Sequence, residues 1–184
     1  MMQFPLSSEE KESFRDFEGR IPIIGYGSLM SPTSAGREFA GFKIPTKVRL
    51  FGVKRVFNRD VWPGKKESAM LDLLYSNNPA HWVNAVLYFV DEKELAKLLK
   101  RELGYDVGRV SYENYETGEK GEAYAFMAIF PETIEKYTSK DVVPVSRYLN
   151  LCLKAAQELG DDFYADFIET TFLADEETLL KDVL

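Results

Sequence analysis

Segments rich in Val, Leu, Phe and Tyr occupy most of the middle of the chain, and several of them alternate with polar residues. Such segments, bounded by turn-forming residues, are typical of β-strands. A short apolar run over 21–24 precedes them and ends in a glycine-containing loop, which predicts one more strand that runs into a tight turn. The predicted strands in the middle of the chain cover 46–57, 69–75, 82–90, 107–115 and 121–130.

A helical pattern of apolar residues covers 91–103. Asp91 is suited to its N-cap, Glu94 completes a capping box, and Gly104 is suited to end the helix. Three other helices are predicted: a short one with Phe14 and Phe17 after a capping box at 7–10, and two over about 144–159 and 161–172, separated by Gly160.

The order of these elements indicates the fold class. Strands dominate the middle of the chain, and helices are inserted among them or follow them, which is an α+β arrangement. Five to six mostly antiparallel strands of this length predict a small mixed β-barrel with flanking helices. The chain has 184 residues, without internal repeats or linkers, so we expect 1–184 to form a single domain.

Composition narrows the classes of partner and compartment. The formal net charge of −7 disfavours binding to nucleic acid and to anionic membrane surfaces. The basic dipeptides Lys65-Lys66 and Lys100-Arg101 are interpreted as surface charge. Cys152 is the single cysteine, and its apolar setting predicts a packed thiol in a reducing compartment. Because no segment is long and apolar enough for a signal peptide or a membrane span, we expect a cytoplasmic protein.

Several kinds of catalytic chemistry are disfavoured by the residues that the chain lacks. With His81 as the single histidine and Cys152 as the single cysteine, metal sites built on His and Cys clusters are not expected. Met30 stands where a dinucleotide-binding loop has its third glycine, and no phosphate-binding loop is present. We therefore expect no metal and no cofactor.

Glu102 breaks two local rules of helix composition. It lies seven residues after Leu95, on the stripe of Leu98 and Leu99 that faces the core. It also lies in the last helical turn, where the helix dipole disfavours negative charge. Burial and the dipole both predict a raised pKa, which makes Glu102 a candidate functional residue. A glutamate that turns outward at a frayed helix end, or pairs with a nearby Arg or Lys, is an equally good interpretation.

The second candidate is the loop Tyr26-Gly27-Ser28-Leu29 after the first strand. Gly25 and Gly27 flank Tyr26 and allow a tight turn in which successive N–H groups are exposed. Such N–H groups can bind a carboxylate or a developing oxyanion, and Ser28 adds a hydroxyl donor. Gly and Ser are also common in ordinary strand-to-loop turns.

These residues resemble the motifs of the γ-glutamylcyclotransferase-like superfamily, over about 21–172. The loop at 23–29 is similar to its Tyr-Gly-Ser-Leu signature, and 99–105 is similar to the segment that holds its catalytic glutamate. Further similar segments occur in the same order as in the family, at 51–57, 85–88, 123–125 and 144–148.

The resemblance implies a cofactor-free enzyme that cyclises a γ-glutamyl compound to 5-oxoproline and releases an amine. Glu102 would be the general acid/base, with Glu94 or Glu113 as the alternative, and residues 26–29 would bind the substrate. The alternative function is a non-catalytic binding domain for a similar small molecule, and the chain would be a monomer or a homodimer. Arg55, Tyr105, Tyr124 and Tyr148 are further pocket candidates, although a structural role is favoured for each of them.

Overall fold

A computed structural model of the protein describes residues 18–31, 33–34 and 45–184. The short helix predicted to carry Phe14 and Phe17 lies outside this part of the chain. Over the described ranges, no helix is both long enough and apolar enough to cross a bilayer.

The described residues form strands in the middle of the chain, with helices inserted among them and following them. The strands are β1 (Ile21–Gly25), β2 (Thr46–Phe51), β3 (Val53–Asp60), β4 (Glu67–Tyr75), β5 (Trp82–Val90), β6 (Asp106–Asn114), β7 (Lys120–Met127), β8 (Val143–Pro144) and β9 (Thr171–Leu173). The helices are α1 (Glu92–Arg101), α2 (Pro131–Tyr137), α3 (Ser146–Glu158) and α4 (Asp161–Thr170), with single 3₁₀ turns at Ser28–Met30 and Leu180–Asp182.

Five strands form a closed barrel in the order β1-β5-β2-β6-β7. The neighbours are antiparallel except at the closure, where β1 and β7 run parallel and Ile23 lies opposite Tyr124. The predicted α+β fold with a small, mostly antiparallel barrel and flanking helices is confirmed. A second sheet, in the order β8-β4-β3-β9, was not predicted.

The single strand predicted over 46–57 is wrong, because the chain leaves the barrel at Gly52. Gly52 has a φ of 70°, a left-handed conformation that glycine adopts without steric cost. Its N–H donates to the carbonyl of His81 at 2.8 Å, and its own carbonyl accepts from Ser76 N–H at 2.8 Å. As a result β2 belongs to the barrel and β3 begins the second sheet.

Tertiary contacts also changed the ends of two predicted elements. The strand predicted to reach residue 130 ends at Met127, and α2, which was not predicted, follows it. The Asp106 carboxylate accepts hydrogen bonds from the backbone N–H groups of Ile129 and Phe130, at 2.8 and 3.0 Å, and so fixes the start of α2. The helix predicted to reach 172 ends at Thr170, because the next residues pair with β3 as β9.

Both sheets and the helices α1, α3 and α4 contribute to one cluster of buried apolar side chains. Cys152 is fully buried in this cluster, which confirms the packed thiol. The cluster extends to Leu180, near the end of the chain. The capping box of Asp91 and Glu94 at the start of α1 is confirmed.

Candidate active site

A pocket lies where the loop after β1 meets the end of α1. Its lining includes all five residues predicted for the site, namely Tyr26, Gly27, Ser28, Leu29 and Glu102. Tyr105 and Tyr148 complete its polar wall. The pocket is a small cleft with a cavity volume of about 30 Å³, well below the range of about 300–1,000 Å³ for small-molecule sites. The fold therefore brings the loop after β1 and the end of α1, which are far apart in the sequence, into one pocket.

The two glycines of the loop are required by close contacts. A Cβ at Gly27 would lie 2.5 Å from the hydroxyl oxygen of Tyr148, and one at Gly25 would lie 2.8 Å from the Cβ of Leu29. After Gly27 the chain enters a 3₁₀ turn in which Met30 N–H donates to the Gly27 carbonyl at 2.9 Å. The N–H of Ser28, one of those predicted to bind an anion, is hydrogen-bonded to the Tyr148 oxygen.

Tyrosine hydroxyls hold the walls of the pocket in place. Tyr26 donates to the carbonyl of Phe126 at 2.5 Å, and Tyr105 donates to the carbonyl of Leu71 at 2.9 Å. Burial raises the pKa of Tyr26, Tyr105 and Tyr148 well above the usual value, and the negative charge of Glu102 adds a smaller increase at each. These phenols therefore stay neutral, and Glu102 is the one carboxylate among the residues found to line the pocket.

Glu102 is the C-cap of α1, and its N–H donates to the carbonyl of Leu98 at 2.8 Å. Its side chain is 16% exposed, and its Oε1 lies 3.1 Å from Nε of Arg101. The carboxylate therefore lines the pocket and also pairs with an arginine.

Arg101 is a site residue that the sequence interpretation missed. Its guanidinium donates to the Ser28 hydroxyl at 2.9 Å and to the Ser34 carbonyl at 3.1 Å, besides its contact with Glu102. Its interpretation as surface charge was wrong. The available signal was its position next to Glu102 in the last turn of α1, where a cation interacts favourably with the helix dipole. Arg101 joins the loop to the carboxylate.

The two alternative glutamates lie away from the pocket. Glu94 serves the capping box, where its carboxylate accepts the N–H of Asp91 at 3.0 Å. Glu113 is on β6, 3.5 Å from the Lys120 ammonium. Neither lines the pocket, so Glu102 is the candidate that the geometry favours.

Arg55 and Tyr124 are buried side chains that do not line the pocket. Arg55 is fully buried, and its guanidinium donates to the Thr171 hydroxyl at 2.7 Å and the Asn84 carbonyl at 2.6 Å. Its hydrogen-bond acceptors are neutral oxygens of Asn84, Phe167, Thr170 and Thr171. Tyr124 is buried in the barrel and does not line the pocket, in contrast to Tyr105 and Tyr148.

A buried ion pair lies behind the wall formed by Tyr105. Asp72 on β4 and Arg59 on β3 are 3.2 Å apart, with side chains 0% and 4% exposed. Asp72 also accepts the N–H groups of Leu73 and Ala128, at 2.8 and 2.9 Å. The carboxylate thus has hydrogen-bond donors that partly offset the cost of its burial.

The pair predicts a pH dependence of stability. Burial raises the pKa of Asp72 from 3.8 to about 6, although the Arg59 charge and the hydrogen bonds lower it in part. Because the pKa is raised in the folded state, the stabilising contribution of Asp72 is complete only below its ordinary pKa of 3.8 and is lost as the pH rises from there through about 6. Relative to Asp72→Asn, which does not titrate, the free energy of unfolding should fall by about 2 kcal/mol between about pH 4 and pH 7.

Urea unfolding of both proteins across this range measures the difference, in which the titrations of all other groups cancel. A difference that stays constant with pH would contradict the raised pKa of Asp72.

Comparison with known proteins identifies solved structures of the same fold. No protein-family model and no curated protein sequence matches the chain. A solved γ-glutamyl cyclotransferase superposes with a TM-score of 0.63 at 16% identity, over 80% of this chain and 86% of that one. The uncharacterized human protein loc79017 superposes with a TM-score of 0.63 at 17% identity, over 80% and 86%. YkqA from Bacillus subtilis gives 0.61 at 21% identity, over 79% of this chain and 52% of YkqA.

The chain therefore has the fold of γ-glutamylcyclotransferase-like proteins, as the resemblance of its motifs predicted. It spans about half the length of YkqA.

Proposed function

We propose that the protein is a γ-glutamylcyclotransferase-like enzyme, which converts a γ-glutamyl amide or peptide to 5-oxoproline and releases an amine. The observation that carries the proposal is the pocket itself, where the Tyr26–Leu29 loop faces the Glu102 carboxylate. A solved protein of the same fold is a γ-glutamyl cyclotransferase.

The nucleophile in this reaction belongs to the substrate. Its α-amino nitrogen attacks the side-chain carbonyl carbon, so that a carbon–nitrogen bond forms and closes a five-membered ring. The bond from that carbon to the departing amine then breaks. Holding the γ-glutamyl chain in a folded conformation makes the attack intramolecular, and well-oriented reactions of this kind gain up to roughly 7–11 kcal/mol.

Glu102 is assigned the proton transfers. The α-amine has a reference pKa of about 8 and is mostly an ammonium at neutral pH, so it must lose a proton before it attacks. The Glu102 carboxylate, held beside Arg101, accepts that proton and later delivers it to the leaving amine. Burial keeps the pKa of Tyr26, Tyr105 and Tyr148 well above the usual value, so these phenols do not compete as bases.

The alternative is a binding domain that holds a γ-glutamyl or amino-acid-like molecule without turnover. The Glu102 carboxylate favours the enzyme. A carboxylate that lines the pocket can accept and return a proton, which turnover requires and binding alone does not.

The test is incubation of the protein with a γ-glutamyl dipeptide, glutathione and γ-glutamyl-lysine, with 5-oxoproline measured by chromatography. We expect turnover of at least one of them, and none of the same compound with an acetylated α-amine, which lacks the nucleophile. Failure with all three, together with calorimetric binding of a γ-glutamyl dipeptide, would favour the binding domain. Release of the amine from the acetylated compound would contradict the intramolecular mechanism.

A further inference from the structure

The buried pair of Arg59 and Asp72 contacts the segment that follows Glu102. One guanidinium nitrogen of Arg59 lies against Asp72, and another donates to the carbonyl of Gly104. The guanidinium carbon lies 3.5 Å from the ring centroid of Tyr105 and 4.8 Å from that of Tyr137. Arg59 is therefore stacked between two aromatic rings, one of which is a wall of the pocket.

This contact is close enough to fix the turn after α1. A Cβ at Gly104 would lie 2.9 Å from the Arg59 guanidinium, and Gly104 has a φ of 92°. The next residue, Tyr105, donates its N–H to the carbonyl of Glu102 at 3.2 Å and its hydroxyl to Leu71 at 2.9 Å. Arg59 thus holds both the backbone and the ring of the segment that continues directly from Glu102.

We propose that Arg59 and Asp72 are positioning residues, which hold the turn after α1 and through it place the Glu102 carboxylate in the pocket. Neither side chain lines the pocket. Asp72 fixes the guanidinium, since it is itself held by the N–H groups of Leu73 and Ala128. The catalytic consequence rests on the proposed function, whereas the consequence for the turn does not.

Two variants test the two members of the pair one at a time. Arg59→Lys keeps the positive charge but loses the planar group that reaches Asp72 and Gly104 together while it stacks on Tyr105. Asp72→Asn keeps the shape and the backbone hydrogen bonds but loses the charge. The matched control is Arg55→Lys. Arg55 is also a buried residue of β3, and its guanidinium lies 4.0 Å from the ring centroid of Phe167. Unlike Arg59, it does not contact the segment after α1.

The first readout needs no substrate. Amide hydrogen exchange of Glu102 and Tyr105 reports opening of the end of α1, because their N–H groups are bonded to Leu98 and Glu102. We expect both amides to exchange about tenfold faster or more in Arg59→Lys and Asp72→Asn, relative to the amides of β7 in the same protein. In Arg55→Lys, the exchange rates of the Glu102 and Tyr105 amides should change by the same factor as those of the β7 amides.

The second readout is kinetic and uses the γ-glutamyl substrate that the protein turns over. We expect kcat to fall by about 10²-fold in each pair variant, the typical effect of a misplacement of about 1 Å, with KM changed less. The double variant should lose little more than the worse single one, because both changes break the same contact.

Unchanged exchange at Glu102 and Tyr105 in both pair variants would overturn the positioning role, whether or not the protein is an enzyme. Faster exchange with unchanged kcat would overturn its catalytic consequence. Equal losses of kcat in Arg55→Lys and Arg59→Lys would also overturn it, since a general loss of stability would then explain both. Turnover of no substrate would remove the proposed function and leave the exchange result intact.

Discussion

Replacing Glu102 by glutamine should lower kcat for a γ-glutamyl substrate by about 10²- to 10⁴-fold, the usual contribution of general acid–base catalysis. Glutamine has the size of glutamate but cannot accept the proton of the substrate ammonium. The hydrogen bond between the N–H of residue 102 and the Leu98 carbonyl does not involve the changed atoms, so α1 should keep its end. Steady-state kinetics of 5-oxoproline release, with binding measured by calorimetry, test this expectation.

The controls for Glu102→Gln are the same change at the two other glutamates that the sequence offered. Glu94 closes a capping box, a role that glutamine also fills, and Glu113 is paired with Lys120 on the barrel surface. Both variants should keep the activity of the unchanged protein. Full activity of Glu102→Gln would refute the assignment of the base, and a large loss in Glu113→Gln would transfer that role to Glu113.

Replacing Gly27 by alanine should destabilise the protein by about 1–3 kcal/mol, the usual cost of overpacking. The added methyl group would lie 2.5 Å from the Tyr148 hydroxyl oxygen and 3.5 Å from Cδ1 of Leu71. Tyr148 is held by the Ser28 N–H, so its ring and the loop must move apart. Because this movement displaces two walls of the pocket, kcat/KM should also fall, by about 10²-fold for a shift near 1 Å. Urea unfolding and steady-state kinetics measure the two effects.

A second substitution tests the cause of this effect. Tyr148→Phe removes the oxygen that the methyl group would meet, so the double variant with Gly27→Ala should be more stable than Gly27→Ala alone. The same second change should not rescue Gly25→Ala, whose Cβ would meet Leu29 at 2.8 Å instead. Equal stabilities of Gly27→Ala with and without Tyr148→Phe would show that the hydroxyl contact is not the cause.

Local patterns predicted the elements that local interactions stabilise. The capping box of Asp91 and Glu94 depends on residues three positions apart, and it was found as predicted. Where the structure departs from the predicted elements, the cause is a contact between distant parts of the chain. The strand predicted over 46–57 is divided at Gly52, whose carbonyl and N–H bond to the turn around Ser76 and His81. The β9 strand replaces a helix end because β3 lies beside it.

For the candidate site, too, the sequence predicted what depends on near neighbours, and contacts between distant segments decided the rest. The helix period placed Glu102 on the buried stripe of α1, and the glycines around Tyr26 indicated a tight loop. The role of Arg101 could not be derived in this way, since its partners Ser28 and Ser34 are distant in the sequence. The reason for Gly27 was equally hidden, because the group that requires a glycine there is the hydroxyl of Tyr148.

The sequence by itself determined the fold class, the helix predicted over 91–103 and the loop Tyr26–Leu29, because hydrophobic periodicity and capping act between near neighbours. In the structure this helix is Glu92–Arg101. Only the tertiary structure decided that this loop and Glu102 share one pocket, that Arg101 connects them, and that Arg59 and Asp72 lie behind them. Those relations depend on side chains from different strands and helices, and their distances are set only when the barrel closes and the second sheet packs against it.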